Sequence, residues 1–273
     1  MDLFTSSALA GLRRSVLLAP SHVTTPTAFR VARRDSSEHG RLLAEAQRLR
    51  GRIYLADGAI ERHQLTASGR HVQWADERSF HLLYLDNGGR VTGCTRYLPH
   101  HNTIGFSKLG VADTPLAEDR RRRPVLERAV EAELVRARGL GYGYVEIGGW
   151  VIAEDVRCTC DAVRMVVTMY ALGRMLGGAL GISTVTKRHA SSSILRRLGG
   201  APLTDGETEV SPYYDPKYRC EMEILRFDSD RPSEFYERAV RRCQTALTRT
   251  PFLAPEIEDL RIPARSALVA ATA

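Results

Sequence analysis

The stretch 84–98, Tyr-Leu-Asp-Asn-Gly-Gly-Arg-Val-Thr-Gly-Cys-Thr-Arg-Tyr-Leu, sets two apolar runs on either side of four turn residues. Asp, Asn and Gly tolerate positive φ, so 86–89 predicts a tight hairpin over about 80–98, stopped by Pro99. Elsewhere apolar positions recur at three and four. Leu42, Leu43, Ala46 and Leu49 predict a helix over 37–50, with Ser36 or Ser37 as its cap. Val125, Leu126, Ala129, Val130 and Leu134 predict one over 124–138, and Pro124 suits its first turn. A third, 159–176, is apolar on much of its surface and reads as buried. A short helix at 191–198 ends in Gly199-Gly200, and 233–247 is amphipathic. Runs at 144–152, 182–186 and 219–227 predict strands, the last by strict alternation. The loop 100–118 has Phe106 and Leu109 as its apolar anchors, and the polar stretch 61–78 shows no period. Helices interleaved with strands predict one mixed α/β domain over 36–248, flanked by a flexible N-terminal extension, 1–35, and a C-terminal tail, 249–273.

Composition narrows the class. At 273 residues, 43% hydrophobic and 26% charged, the chain can bury one sizeable core. No apolar run reaches the length of a membrane span; Ala179 to Val185 is short and holds Gly181 and Ser183. Five cysteines, without a signal-peptide h-region before them, read as free thiols of a cytoplasmic protein. Cys158 and Cys160 have one residue between them and no complementary His/Cys pair, so no metal site is expected. The net charge of +7 is concentrated at 120–123 and at Lys187, Arg188, Arg196 and Arg197. No nucleic-acid motif accompanies it, and arginine clusters serve equally for the phosphates of coenzyme A or an acidic carrier protein.

Three features carry chemistry. The hairpin ends in Gly93-Cys-Thr-Arg96-Tyr-Leu-Pro99; the strand 144–152 bears Glu146 and the pair Gly148-Gly149; a helix follows that strand after a short loop. Glycines inside a strand mark a bulge or a close backbone approach. This order resembles the GNAT superfamily of N-acyltransferases. Within it the chain is most similar to the autoinducer synthases and the long-chain N-acyl amino acid synthases, over roughly 40–227. The resemblance implies a GNAT-like fold in which the end of 144–152 splays from 182–186 and holds the pantetheine arm of an acyl thioester. The superfamily's phosphate loop spacing falls on Ile152, Arg157, Cys160 and Ala162, with Cys160 where a glycine is usual. The Arg-x-x-x-Tyr/Phe region falls on Arg48 or Arg52 with Tyr54. Two further departures matter: Gly149 stands where autoinducer synthases carry an arginine, and their acidic pair is reduced to Asp57 and Glu61.

The resulting expectation is an N-acyltransferase that moves an acyl group from acyl-coenzyme A or an acyl carrier protein to the amine of an amino acid or related metabolite. Glu146 is the expected proton acceptor and Arg96 the group that orients an acceptor carboxylate. Gly149, Trp150, Val151, Ile152, Arg157, Cys160 and Ala162 are assigned to the donor, and Arg52, Tyr54 and Tyr214 to the acceptor. Besides the thioester donor no cofactor is expected. Other thioester chemistry, or a non-catalytic acyl-thioester-binding module, is the alternative the same scaffold allows.

Overall fold

The four residues 86–89 turn as their composition requires: Gly89 lies at φ +81° and the Asp86 carboxylate accepts from the amides of Gly88 and Arg90 at 3.0 Å. The structure is a computed structural model that describes residues 14–21, 26–157 and 159–255. Its elements in chain order are β1 (Arg14–Leu18), β2 (Ala32–Arg34), α1 (Ser36–Ala56), β3 (Phe80–Leu85), β4 (Val91–His100), α2 (Pro115–Glu118) and α3 (Arg123–Leu140). There follow β5 (Gly143–Ile152), α4 (Asp161–Met175), β6 (Ala179–Thr186), α5 (Ser191–Arg197), β7 (Ala201–Pro202), β8 (Tyr213–Asp215), β9 (Cys220–Asp228), α6 (Glu234–Leu247) and β10 (Phe252–Ala254). Among the described residues these strands make one mixed sheet, ordered β2-β10-β1-β3-β4-β5-β6-β9-β7, with β8 on β9. No helix there is long and apolar enough to cross a membrane.

Helix ends follow local chemistry. The Asp35 carboxylate caps α1 by accepting from Glu38 N at 2.9 Å, and Gly141, at φ +67°, closes α3. Helices α1 and α3 cover one face of the sheet. The first packs on Leu83, Leu85, Cys94 and Val151, the second on Tyr144, Leu180, Ile182 and Ile224. Helices α4 and α6 cover the other face, over Tyr97, Val145, Leu225 and Phe227. Because β9 is covered on both faces, Met222, Ile224 and Leu225 are all buried, and the strict alternation expected of it is not seen.

Both expected flanking segments contribute to the sheet, which corrects the boundaries 36 and 248. Strand β1 lies between β3 and β10, with Leu17 and Leu18 fully buried, and β10 pairs in parallel with β1 and β2. Short strands of five and three residues leave no period to detect; residues 1–13 and 256–273 lie outside the described part. Pro99 does not stop β4, which continues to His100. Tyr97 is the last partner of β3, so one side of β4 is already open at Pro99, where a missing N–H costs no ladder bond.

The central irregularity lies in β5. Opposite Cys94 and Arg96 on β4 stand Val151 and Gly148, so β5 holds one extra residue there, and Gly149 takes φ +62°. On its other side β5 pairs with β6 only from Gly143↔Ala179 to Glu146↔Ile182. Strand β6 runs on beside β9 to Thr186, while β5 runs on beside β4 to Ile152. Beyond Glu146 the two parallel strands part, as the sequence reading expected. Their paired stretch is tight: a Cβ at Gly181 would lie 2.2 Å from Val145 Cγ1 and 2.3 Å from its carbonyl oxygen. Gly181→Ala is therefore expected to destabilise the fold by about 1–3 kcal/mol through overpacking against backbone. A urea denaturation midpoint equal to that of the wild type would contradict this close approach.

Candidate active site

Where β5 and β6 part, a cleft of ≈ 960 Å³ opens, lined from the face that carries α1 and α3 and, past the end of the β5–β6 pairing, by Ala162 and Val163 of α4 and Ile194 of α5. Arg96 and Glu146 both line it, from neighbouring strands, because positions 96 and 98 of β4 stand opposite 148 and 146 of β5 on one face.

Arg96 belongs to a buried ionic group built around Asp76. The Arg50 guanidinium donates from Nη1 and Nη2 to the two Asp76 carboxylate oxygens, at 3.0 and 2.6 Å, and Nη2 also reaches the His71 carbonyl at 2.5 Å. Gln47 Nε2 and Gln73 N donate to Asp76 Oδ2 at 3.0 Å each, and Arg96 Nη1 lies 3.3 Å from Oδ1 and 2.7 Å from Gln73 Oε1. The His81 ring contacts the Asp76 carbonyl at 2.7 Å. Burial pushes the Asp76 carboxyl up, but the Arg50 hydrogen bonds and charge outweigh it and hold the group well below the carboxylate range. Burial, reinforced by Arg50, lowers His71 to about 4; burial, opposed by the Asp76 charge, lowers His81 to about 4.

Glu146 is held from three sides. Its Oε1 is 2.9 Å from His100 Nε2 and accepts from Gly110 N at 2.9 Å, while Oε2 accepts from Val111 N at 3.2 Å. The carboxylate thus fastens the 3₁₀ turn Gly110–Asp113 to β5, and its side chain keeps 16% exposure toward the cleft. Tyr54 also lines the cleft, with ring centroids 5.6 Å from His71 and 6.3 Å from Tyr218.

The assigned donor residues mostly converge. Gly149, Trp150, Val151, Ile152, Arg157 and Ala162 line the cleft. Arg157 Nη2 is 3.8 Å from Asp57 Oδ1. Cys160 stands at the N-cap of α4 without a side-chain capping bond, and does not line the cleft. Through the gap between the strands the cleft meets a small apolar pocket of ≈ 40 Å³ under α4. Ile147, Gly148, Trp150, Ser183 and Leu195 line both.

Some assignments fail. Arg52 and Arg48 are exposed, because the buried positions of α1 include Leu42, Ala46, Leu49, Arg50 and Ile53, and Arg52 is some 200° round the helix from Arg50. The inward arginine is Arg50, a residue the sequence reading passed over although it shares the spacing of the apolar stripe. Tyr214 is 61% exposed on β8, where alternation turns Tyr213 inward instead. The acid that matters is Asp76, in the stretch without period; Asp57 lies at the cleft edge, and Glu61 pairs with Arg219. His100, passed over as a loop histidine, is buried on β4. The basic clusters are largely engaged within the chain: Arg188 donates to the carbonyls of Asp57 and Arg219, Arg196 pairs with Glu223, and Arg122 donates to the Ser211 and Pro212 carbonyls.

No protein-family model matches the chain, and no curated protein matches it. Solved structures do. The CoA-dependent acyl-homoserine lactone synthase BjaI, with SAM and isopentyl-CoA, superposes at a TM-score of 0.53 and 15% identity, covering 93% of this chain and 99% of that one. Its complex with MTA gives 0.54 at 15%, with the same coverage. TofI, in a ternary complex with an inhibitor and MTA, gives 0.50 at 12%, covering 87% and 98%. The chain therefore shares the fold of these structures.

The buried histidines and Asp76 set a pH dependence with a definite sign. Histidines lowered to about 4 are neutral in the fold, so their contribution is complete above the unfolded value of 6.5 and is lost as pH falls from there toward 4. The depressed Asp76 adds a further loss below its unfolded value of 3.8. Between pH 7 and 5 the unfolding free energy is expected to drop by up to about 2 kcal/mol per histidine. Denaturant titrations showing constant or rising stability over that interval would contradict neutral burial of His71 and His81.

Proposed function

We propose that this chain is an N-acyltransferase that joins the acyl group of a thioester to the amine of an amino acid or related metabolite. The observation that carries the reading is the parted strand pair. It leaves β5 backbone at 147–149 without a β6 partner, between a wide cleft and an apolar pocket under α4. A pantetheine arm is an extended chain of amides, and it can take up the hydrogen bonds that β6 no longer makes. The acyl group then passes through the gap into the pocket under α4. Tyr170, Leu195 and Phe227 are among the apolar side chains that line this small pocket, which in this reading takes a short acyl group.

The acceptor approaches from the opposite face, where Arg96 offers a guanidinium to its carboxylate. The amine nitrogen attacks the thioester carbon, the backbone amides of the broken strand bear the developing oxyanion, and the carbon–sulfur bond breaks to release the thiolate. Glu146 receives the amine proton at Oε2, which has the single 3.2 Å donor Val111 N, directly or through a water. Coenzyme A is the preferred donor in this reading, with Arg157 and the first turn of α4 at Ala162 facing its phosphates. It is also the donor named for BjaI. Donor and acceptor are metabolites, consistent with a cytoplasmic protein.

The test is thiol release from a short-chain acyl-coenzyme A with and without amino acids present. Release only with an amine, one amide per thiol, is expected; equal release without amine would mean hydrolysis and would overturn the reading. Glu146→Gln is expected to lower kcat by about 10²–10⁴-fold if it takes the proton. Arg96→Ala should weaken acceptor binding by about 1.5–3 kcal/mol, read as KM. Wild-type kinetics in both folded variants would remove these residues from the mechanism.

A further inference from the structure

We infer that the acceptor is an α-amino acid with a large apolar side chain, seated on Val72 and Trp74 while its carboxylate meets Arg96. The inference rests on the N-acyltransferase reading and names the substrate class of that site. The segment 71–75 reaches Arg96 as a loop that turns at Trp74, and its side chains divide between the interior and the cleft. His71 is buried and Gln73 turns to Arg96, at 2.7 Å, whereas Val72 and Trp74 are 50% and 55% exposed. Both line the cleft.

Two large apolar side chains exposed together in a cleft mark a surface meant to be covered. The Arg78 guanidinium lies 5.9 Å from the centroid of the Trp74 ring and covers one side of it, which leaves the other side to a ligand. What the ligand must carry is set by the neighbouring charge. Arg96 Nη1 is taken by Gln73 and Asp76, but Nη2 lies against the cleft backbone, 3.5 Å from where a Gly148 Cβ would stand. A carboxylate at Nη2 and an apolar group beside Gln73 are the two ends of one amino acid, and its amine then falls on the Gly148 side, toward the broken strand.

The seat is tested with the full chain, butyryl-coenzyme A and a panel of acceptors, together with tryptophan fluorescence in the absence of donor. Phenylalanine or leucine is expected to exceed serine and aspartate in kcat/KM by about tenfold or more. Phenylalanine should change Trp74 emission, and phenylalaninamide, which lacks the carboxylate, should not. Trp74→Ala should collapse the phenylalanine-to-serine ratio toward one and abolish the emission change; Val72→Ser is the independent second variant and should lower the same ratio. Serine or aspartate acylated as well as phenylalanine overturns the apolar seat while leaving the transferase reading intact. An emission change with phenylalanine but no amide from any donor overturns the transferase and keeps the seat. An unchanged ratio in folded Trp74→Ala overturns the role of Trp74.

Discussion

The function proposed here depends on one departure from sheet regularity: β5 carries an extra residue opposite Thr95, and past Glu146 it no longer pairs with β6. A parallel strand pair buried between two helical layers would ordinarily satisfy every backbone group along its length. Here the pairing ends midway, and the backbone beyond it faces a cleft. The same parting connects the two faces of the sheet. Without it the wide cleft that Arg96 lines and the apolar pocket under α4 would be separate features. Gly149 makes the bulge feasible, since its φ of +62° is strained for any residue with a Cβ, and Arg50 Nη1 lies 3.3 Å from where that Cβ would be.

Asp76 is the second fixed point. An acid with its side chain 1% exposed needs full compensation, and it has it from Arg50, Gln47, Gln73 and Arg96. The arrangement holds α1, the 71–78 segment and β4 in one register, so Arg96 faces the cleft with one nitrogen committed and one free to meet a ligand. Glu146 does the same work on the other side, tying the Gly110–Asp113 turn to β5. The two charged groups that face the cleft are thus both anchored before any ligand arrives, which is what preorganised catalysis requires.

Most of the sheet centre and its helices were legible from periodicity and turn chemistry. The hairpin turn at 86–89, the buried helix α4 and the strand with Glu146 stand where the pattern put them, while the splay of that strand was implied by the family resemblance. What escaped was of two kinds. Strands β1 and β10 are too short for a period, and their apolar character comes only from neighbours distant in sequence. Asp76 and His100 draw their roles from tertiary partners, Arg50 and Glu146, which no local spacing announces. The misplacements of Arg52 and Tyr214 are different in origin: helical phase from Ala46 and Leu49 points to Arg50, and strand alternation points Tyr214 outward. Both were recoverable from the sequence.

The most direct test of the account is amide hydrogen exchange with and without a non-hydrolysable S-alkyl coenzyme A, in which a thioether replaces the thioester. Within 147–149, the amides that point toward β6 and find no partner there should exchange readily in the free protein and gain protection when the analogue binds. The paired stretch 143–146 should be protected in both states. Protection that appears only outside β5, or β6-facing amides at 147–149 that are already as protected as their paired neighbours, would contradict the claim that the broken strand is where the thioester arm binds.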